Sequence, residues 1–377
     1  MSATPPLARI VESGVSPWLD DLSRARLRSG NLAELISSGR ILGVTTNPTI
    51  FDKAIADGEA YDEAVAALAA AGADTEQAVR TMTTDDVREA ADLFARALPD
   101  PRHGDGRVSI EVDPRLAHDT AGTIAQAREL WRIVDRPNVY IKIPATPEGL
   151  LAITEAVAEG ISVNATLIFS VDTYRAVATA YVDGLERARD AGVDLAPIAS
   201  VASVFLSRID GKVDPVLDEL GTPEATALRG TAAVAGARTA YAAFREIFSS
   251  PRWEDLAAAG AHVQRPLWAS TGVKDPTFAD TRYVDELVAP DVVNTMPEKT
   301  LLATADHARL PEGTGPVDTI TPHLAQAAEQ LDGLLRVGVP YEQLLAELTS
   351  EGVASFIVSW ENLLQTVTTS LENARTA

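Results

Sequence analysis

Cysteine is absent from the 377-residue chain. That excludes a disulfide framework, a thiolate nucleophile and a thiolate metal site. Histidine is scarce: His103, His118, His262, His307 and His323 are the full set, and none stands at paired ligand spacing from another. No apolar run is long enough to span a bilayer. Residues 1–11 lack a basic stretch followed by an apolar one, so no signal peptide is expected and a cytoplasmic location is the simplest expectation. Positive charge is also in short supply: 32 Lys and Arg face 54 Asp and Glu, a formal net charge of −22. This disfavours nucleic acid and anionic membrane as partners, although a local basic pocket for a phosphorylated metabolite remains compatible with it.

What is present is an alternation of strand and helix patterns in a chain whose hydrophobic content, 46%, is ordinary for a globular protein. Strands are expected at 17–22, 43–47, 108–113, 138–146, 161–168, 196–205, 266–270 and 292–296. Helices are expected at 31–40 (with Asn31 as cap), 61–71, 76–98, 114 to about 134, 148–158, 171–191, 213–248 with a break near 221–223, 280–288, 322–337, 341–348 and 354–374. Residues 99–106 read as a turn-rich loop. Eight strands separated by helices imply a parallel sheet, and the count fits a closed (β/α)8 TIM barrel. An open doubly wound sheet would instead be expected to carry a glycine-rich turn after its first strand, and the chain has none there. We expect one domain over 1–377, with about 305–377 as helices packed on the barrel.

The 138–146 segment, NVYIKIPAT, places one charge, Lys142, in an otherwise uncharged strand. Strand periodicity puts Val139, Ile141 and Ile143 on one face and Tyr140, Lys142 and Pro144 on the other. Lysine is almost never buried without a reason. Desolvation favours the neutral amine, which is a carbonyl nucleophile. Other strands are also aliphatic on one face only. Val108, Ile110 and Val112 alternate with Ser109, Glu111 and Asp113, and Val163, Ala165 and Leu167 alternate with Ser162, Asn164 and Thr166. In the second strand Val44 and Thr46 alternate with Thr45 and Asn47, and in the seventh Leu267 and Ala269 alternate with Trp268 and Ser270. If the aliphatic faces meet the helices, the polar faces line the barrel. Asn47, Glu111, Lys142 and Thr166 then converge at the C-terminal mouth, where barrel active sites sit. An amide, a carboxylate and a hydroxyl around a lysine suit acid–base and carbonyl chemistry.

These residues carry a resemblance to transaldolases of the longer bacterial type. The matching stretches are WLDDLS at 18–23, GVTTNP at 43–48, SIEVD at 109–113, YIKIP at 140–144, NATLIFS at 164–170, SVFLSR at 203–208 and WASTGVK at 268–274, in order over most of the chain. The resemblance implies a metal-independent, cofactor-free transferase of the pentose phosphate pathway. It would move a dihydroxyacetone unit from sedoheptulose 7-phosphate to glyceraldehyde 3-phosphate, giving erythrose 4-phosphate and fructose 6-phosphate. Lys142 would form the Schiff base, Glu111 would handle protons with a water held by Thr166, and Asp20 would be the acid–base for carbon–carbon cleavage, with Asp21 one register step away. Asn47, Asn164, Ser203, Arg208 and Ser270 would bind substrate. Many members of that family have an arginine two residues after the serine; this chain has Gly272 there, so Lys274 is the nearest cation for the phosphate. The chain would act as a monomer or homodimer. Another metal-independent Schiff-base aldolase and a non-catalytic phosphosugar-binding barrel are the alternatives.

Overall fold

The computed structural model describes residues 5–98, 104–313 and 315–376; most of the expected 99–106 loop lies outside them. Eight strands close into a barrel in chain order: β1 (Ser16–Leu19), β2 (Gly43–Val44), β3 (Arg107–Glu111), β4 (Val139–Pro144), β5 (Val163–Ile168), β6 (Ser200–Phe205), β7 (Gln264–Ala269) and β8 (Val293–Met296). Each neighbouring pair is parallel, β8 with β1 included, and helices surround the barrel. The expected TIM barrel is therefore present.

The N-terminal half of the barrel is filled. Ser16 donates to Asp105 at 2.5 Å, and Arg265 donates to both Asp105 and Ser16, at 3.0 and 2.7 Å. Beside this network Trp18 stacks on Tyr140 with ring centroids 6.0 Å apart, and the Arg107 guanidinium lies 5.1 Å from the Tyr140 ring. Register then builds the layer above: Glu111 of β3 pairs with Lys142 of β4, and Lys142 pairs with Asn164 of β5. The polar residues picked out by alternation thus meet at one level, because parallel strands in fixed register bring like-facing side chains together.

Two strands depart from the expected alternation. In β7, Arg265 reaches the interior network, so Leu267 and Ala269 share its inward phase and Trp268 points to the helix layer. There the indole Nε1 donates to the Leu287 carbonyl at 3.1 Å, which satisfies its one polar group. Ser270 reaches the mouth by another route: the chain leaves the strand with a Ser270 φ of 54°, which re-aims the side chain. In β5 the register against β6 shifts between Ala165 and Ile168, and Leu167 has a φ of 59°. This bulge turns Leu167 under the C-terminal helix.

The helix boundaries also need correction. Asn31 is the first residue of helix Asn31–Ser37, not its cap; Gly30 holds the cap position with φ 79°, and the Asn31 side chain accepts from Arg26. The long helix expected from 114 is a short turn, Pro114–Leu116, followed by helix Thr120–Val134, capped by Asp119. Helices Pro6–Glu12, Arg24–Arg28, Pro48–Ala56, Pro251–Ala258 and Glu298–His307 were not anticipated. The two expected C-terminal helices are one, Tyr341–Thr376, running through Gly352. A Cβ on Gly352 would come within 3.0 Å of the Leu167 side chain, so the glycine permits the close approach of helix and barrel there.

Gly43 plays a comparable part at the start of β2. A Cβ there would lie 2.4 Å from the ring of Trp18, which is fully buried. Gly43→Ala is expected to destabilise the fold by about 1–3 kcal/mol through overpacking. Chemical denaturation monitored by circular dichroism checks this; an unchanged midpoint would show that the Trp18–Tyr140 stack can shift freely.

Candidate active site

Lys142 is anchored by β4 with its ammonium inside the barrel, 2.9 Å from Glu111 Oε2 and 3.1 Å from the Thr46 carbonyl, both of which accept from it. The side chains of Lys142 and Glu111 are only 4% and 2% exposed. The pair opens on one side to a cavity of about 360 Å³ at the C-terminal mouth of the barrel. Of the residues anticipated from sequence, Asp20, Asn47, Lys142, Ser203, Arg208, Ser270 and Lys274 line this cavity.

Asp20 follows β1 and is held by Thr45, whose Oγ1 donates to Asp20 Oδ1 at 2.7 Å; Thr45 in turn contacts Thr295 at 2.6 Å. Asp21 lies on the other side of the chain, ion-paired with Arg26 at 2.7 Å. The aspartate that faces Lys142 is therefore Asp20. Asn47 caps helix Pro48–Ala56, its Oδ1 accepting from the Ile50 amide at 3.0 Å. Because the cap uses the oxygen, the amide NH2 is what Asn47 offers the cavity.

Three anticipated residues do not line the cavity wall. Asn164 sits one layer in: it donates to Ser109 at 3.1 Å and accepts from Ser203 at 2.7 Å, so it orients Ser203 from behind. Glu111 lies beyond Lys142, on a second cavity. Thr166 pairs in register with Pro144, and its Oγ1 is buried. Thr166 Oγ1 and Glu111 Oε1 share one property: neither has a hydrogen-bond partner among the described residues. A buried polar atom left so is costly, which marks both as positions for a bound polar group.

Burial dominates the electrostatics. It pushes the carboxyls of Asp20 and Glu111 above the usual carboxylate range, and nearby Lys142 pulls each back only partly. Burial lowers the Arg208 guanidinium, with Glu111 and Asp20 opposing. Arg208 is the second residue of the helix after β6, following Ser207, whose hydroxyl lies 2.8 Å from that of Ser270. Among the described residues no cluster of His, Cys, Asp and Glu is placed to hold a metal. The arrangement can polarise a carbonyl, move protons at two separated carboxyls and receive an anion at the mouth.

Lys53 and Phe356 are among the lining residues that were not anticipated from sequence. Lys53 projects from helix Pro48–Ala56, whose start, Asn47-Pro48, carries a readable cap-and-proline signal. Phe356 comes from helix Tyr341–Thr376. Its ring centroid lies 5.4 Å from Lys142 Nζ and 5.7 Å from the Arg208 guanidinium. No local pattern announces a contact between positions so distant in the chain. Phe205 also lines the cavity, its ring centroid 5.3 Å from the Arg208 guanidinium.

Comparison with known proteins agrees with this geometry. The family model described as Transaldolase/Fructose-6-phosphate aldolase matches residues 17–367. A protein named Transaldolase 1 from Streptomyces avermitilis is 58% identical over 366 residues, covering 97% of this chain and 95% of its own. The protein named Transaldolase from Mycolicibacterium smegmatis is 56% identical over 375 residues, 100% of both chains. That of Thermobifida fusca is 56% identical over 366 residues, 97% of this chain and 98% of its own. With a lysine buried at the barrel mouth between two carboxyls, and with these relatives along its whole length, the chain belongs to the transaldolase/fructose-6-phosphate aldolase family.

Proposed function

We propose that the protein transfers a dihydroxyacetone unit from sedoheptulose 7-phosphate to glyceraldehyde 3-phosphate, and back, through a Schiff base on Lys142. The observation that carries this reading is the buried Lys142–Glu111 pair opening onto a cavity that also holds Asp20. Glu111, with a water held by Thr166, takes the proton transfers of carbinolamine formation and dehydration. Asp20 removes the proton from the C4 hydroxyl as the C3–C4 bond breaks, and the protonated imine takes up the electron pair as an enamine. Asn47 and Ser203 hold the ketose, Arg208, Ser270 and Lys274 the phosphate. Phe356 and Phe205 keep water from protonating the enamine before an acceptor arrives. We place this activity in the cytoplasm, in a single unit whose C-terminal helix covers the mouth. Because the family description also names fructose-6-phosphate aldolase, assays with and without an aldehyde acceptor separate transfer from simple cleavage.

Lys142→Ala should abolish transfer and borohydride trapping with fructose 6-phosphate. The variant should still fold, since Glu111 can take up a proton in place of its lost partner. Transfer at near wild-type rate would remove the Schiff base from the mechanism.

Asp20→Asn separates the carboxyls by step and by stability. It should form the trappable imine but stall at cleavage. Because burial raises the Asp20 pKa, the folded protein holds this proton more tightly than the unfolded chain. Stability is therefore lost as pH rises from the ordinary value of 3.8 through the raised one. Asparagine cannot ionise, so Asp20→Asn should match the parent near acidic pH and exceed it in thermal midpoint at alkaline pH. A midpoint below the parent throughout would mean that Asp20 is held mainly for structure.

Arg208 concerns the phosphate. Charge-assisted hydrogen bonds contribute about 1.5–3 kcal/mol each, so Arg208→Ala should raise KM for fructose 6-phosphate by about one to two orders of magnitude. The KM for fructose should change far less. Equal losses on both sugars would place the phosphate elsewhere.

A further inference from the structure

Lys142 and Glu111 are hydrogen-bonded, yet they line different cavities. Lys142 faces the mouth. Glu111 lies on a second, narrower cavity of about 50 Å³, lined also by Thr46 and by Asn47, which borders both spaces. This passage is bounded by helices Thr75–Ala97 and Thr120–Val134, through Thr83 and Gln126, and by Trp360 of the C-terminal helix. At one end Glu111 is 2% exposed, whereas Glu76 and Arg80 on the same cavity are 61% and 36% exposed. The passage therefore links the buried carboxyl to the protein surface by way of residues other than those that line the substrate mouth, Asn47 excepted.

Two buried atoms of its lining residues lack a partner among the described residues: the acceptor Glu111 Oε1 and the donor Trp360 Nε1. Leaving either so is costly. The cavity has room for one or two waters, at about 30 Å³ each, and offers the polar partners a buried water needs. Burial also raises the Glu111 carboxyl above its ordinary value, against the opposing pull of Lys142.

The chemistry supplies a use, given the Schiff-base reading above, on which this inference rests. Each transfer cycle makes one imine and hydrolyses one. On formation the C2–O bond of the carbinolamine breaks, the nitrogen lone pair closes C=N, and the oxygen leaves as water with a proton from Glu111. On release a water adds to C2 and gives a proton back to Glu111; the C2 hydroxyl then passes its own proton to the nitrogen and closes C=O as the C–N bond breaks, which frees Lys142. The sugar occupies the mouth during both steps. We propose that the cavity behind Glu111 is a water port, which carries the water of imine formation and hydrolysis while substrate fills the mouth, with Trp360 Nε1–H holding the port water against Glu111 Oε1. Trp360 is in this sense a positioning residue, acting through water.

The test begins with borohydride trapping of the wild-type enzyme on fructose 6-phosphate. A failure there would overturn the Schiff-base reading rather than the port alone. Given a trapped imine, 18O incorporation into the C2 carbonyl of fructose 6-phosphate is measured in H2 18O against an enzyme-free blank, together with kcat and KM for transfer. Trp360→Phe keeps the ring and deletes only the N–H. It should lower 18O exchange and kcat together by about tenfold, equivalent to about 1.4 kcal/mol, with KM nearly unchanged. Thr83→Leu, which fills the passage from a different helix, should give the same pattern. Wild-type exchange in both variants would overturn the port. A loss confined to KM would do so too, since a displaced C-terminal helix alters the mouth without touching the water steps.

Discussion

The whole site depends on a 2.9 Å contact between an ammonium and a carboxylate that are both withdrawn from water. Taking two charges out of solvent costs several kcal/mol per ion, and the attraction between them offsets that only when geometry is good. The geometry here is set by strand register, which pairs Glu111 directly with Lys142. The rest of the barrel interior follows from the same constraint. Asn164 stands beside Lys142 in the next strand and is itself satisfied by Ser109 and Ser203, so the layer is hydrogen-bonded laterally around the barrel. Beneath it, the Arg265–Asp105–Ser16 network and the Trp18–Tyr140 stack fill the N-terminal half. A barrel plugged at one end and charged at the other has one direction in which a substrate can approach the lysine.

The C-terminal helix closes that direction partway. Gly352, Phe356 and Trp360 fall at intervals of four on one face of Tyr341–Thr376. Gly352 lies against Leu167, Phe356 lies over Lys142 and Arg208, and Trp360 lines the space behind Glu111. Ser359, on the same stretch, contacts Thr49 of helix Pro48–Ala56 at 2.7 Å. One helix therefore touches both sides of the Lys142–Glu111 pair. The aromatic rings supply apolar cover beside two cations, where cation–π attraction helps hold them.

The barrel was legible because alternation over short strands is a strong signal, and inward polar residues on a mostly aliphatic background stand out. Glu111 and Lys142 were found by that rule alone and meet in register, with Asn164, named as a site residue only through the resemblance, beside them. The rule failed in β7 because Arg265, just ahead of the stretch read as strand, is what fixes the phase; Trp268 is apolar enough to prefer the helix layer. It failed at Leu167 and Ser270 because each takes a positive φ, which breaks the period of two without leaving a glycine to mark it. The distinction between Asp20 and Asp21 needed the Arg26 ion pair, a contact to the following helix. Phe356 and Trp360 were invisible for a different reason. Their partners are brought to them by the closure of the whole fold, and nothing nearby in the chain encodes that meeting.

The position of the covering helix has a bearing on synthesis. The last barrel strand ends at Met296, whereas Phe356 lies well beyond it. A nascent chain releases all eight strands, and Lys142 with them, before the cover is made. The cover over Lys142 is thus the last part of the site that synthesis supplies.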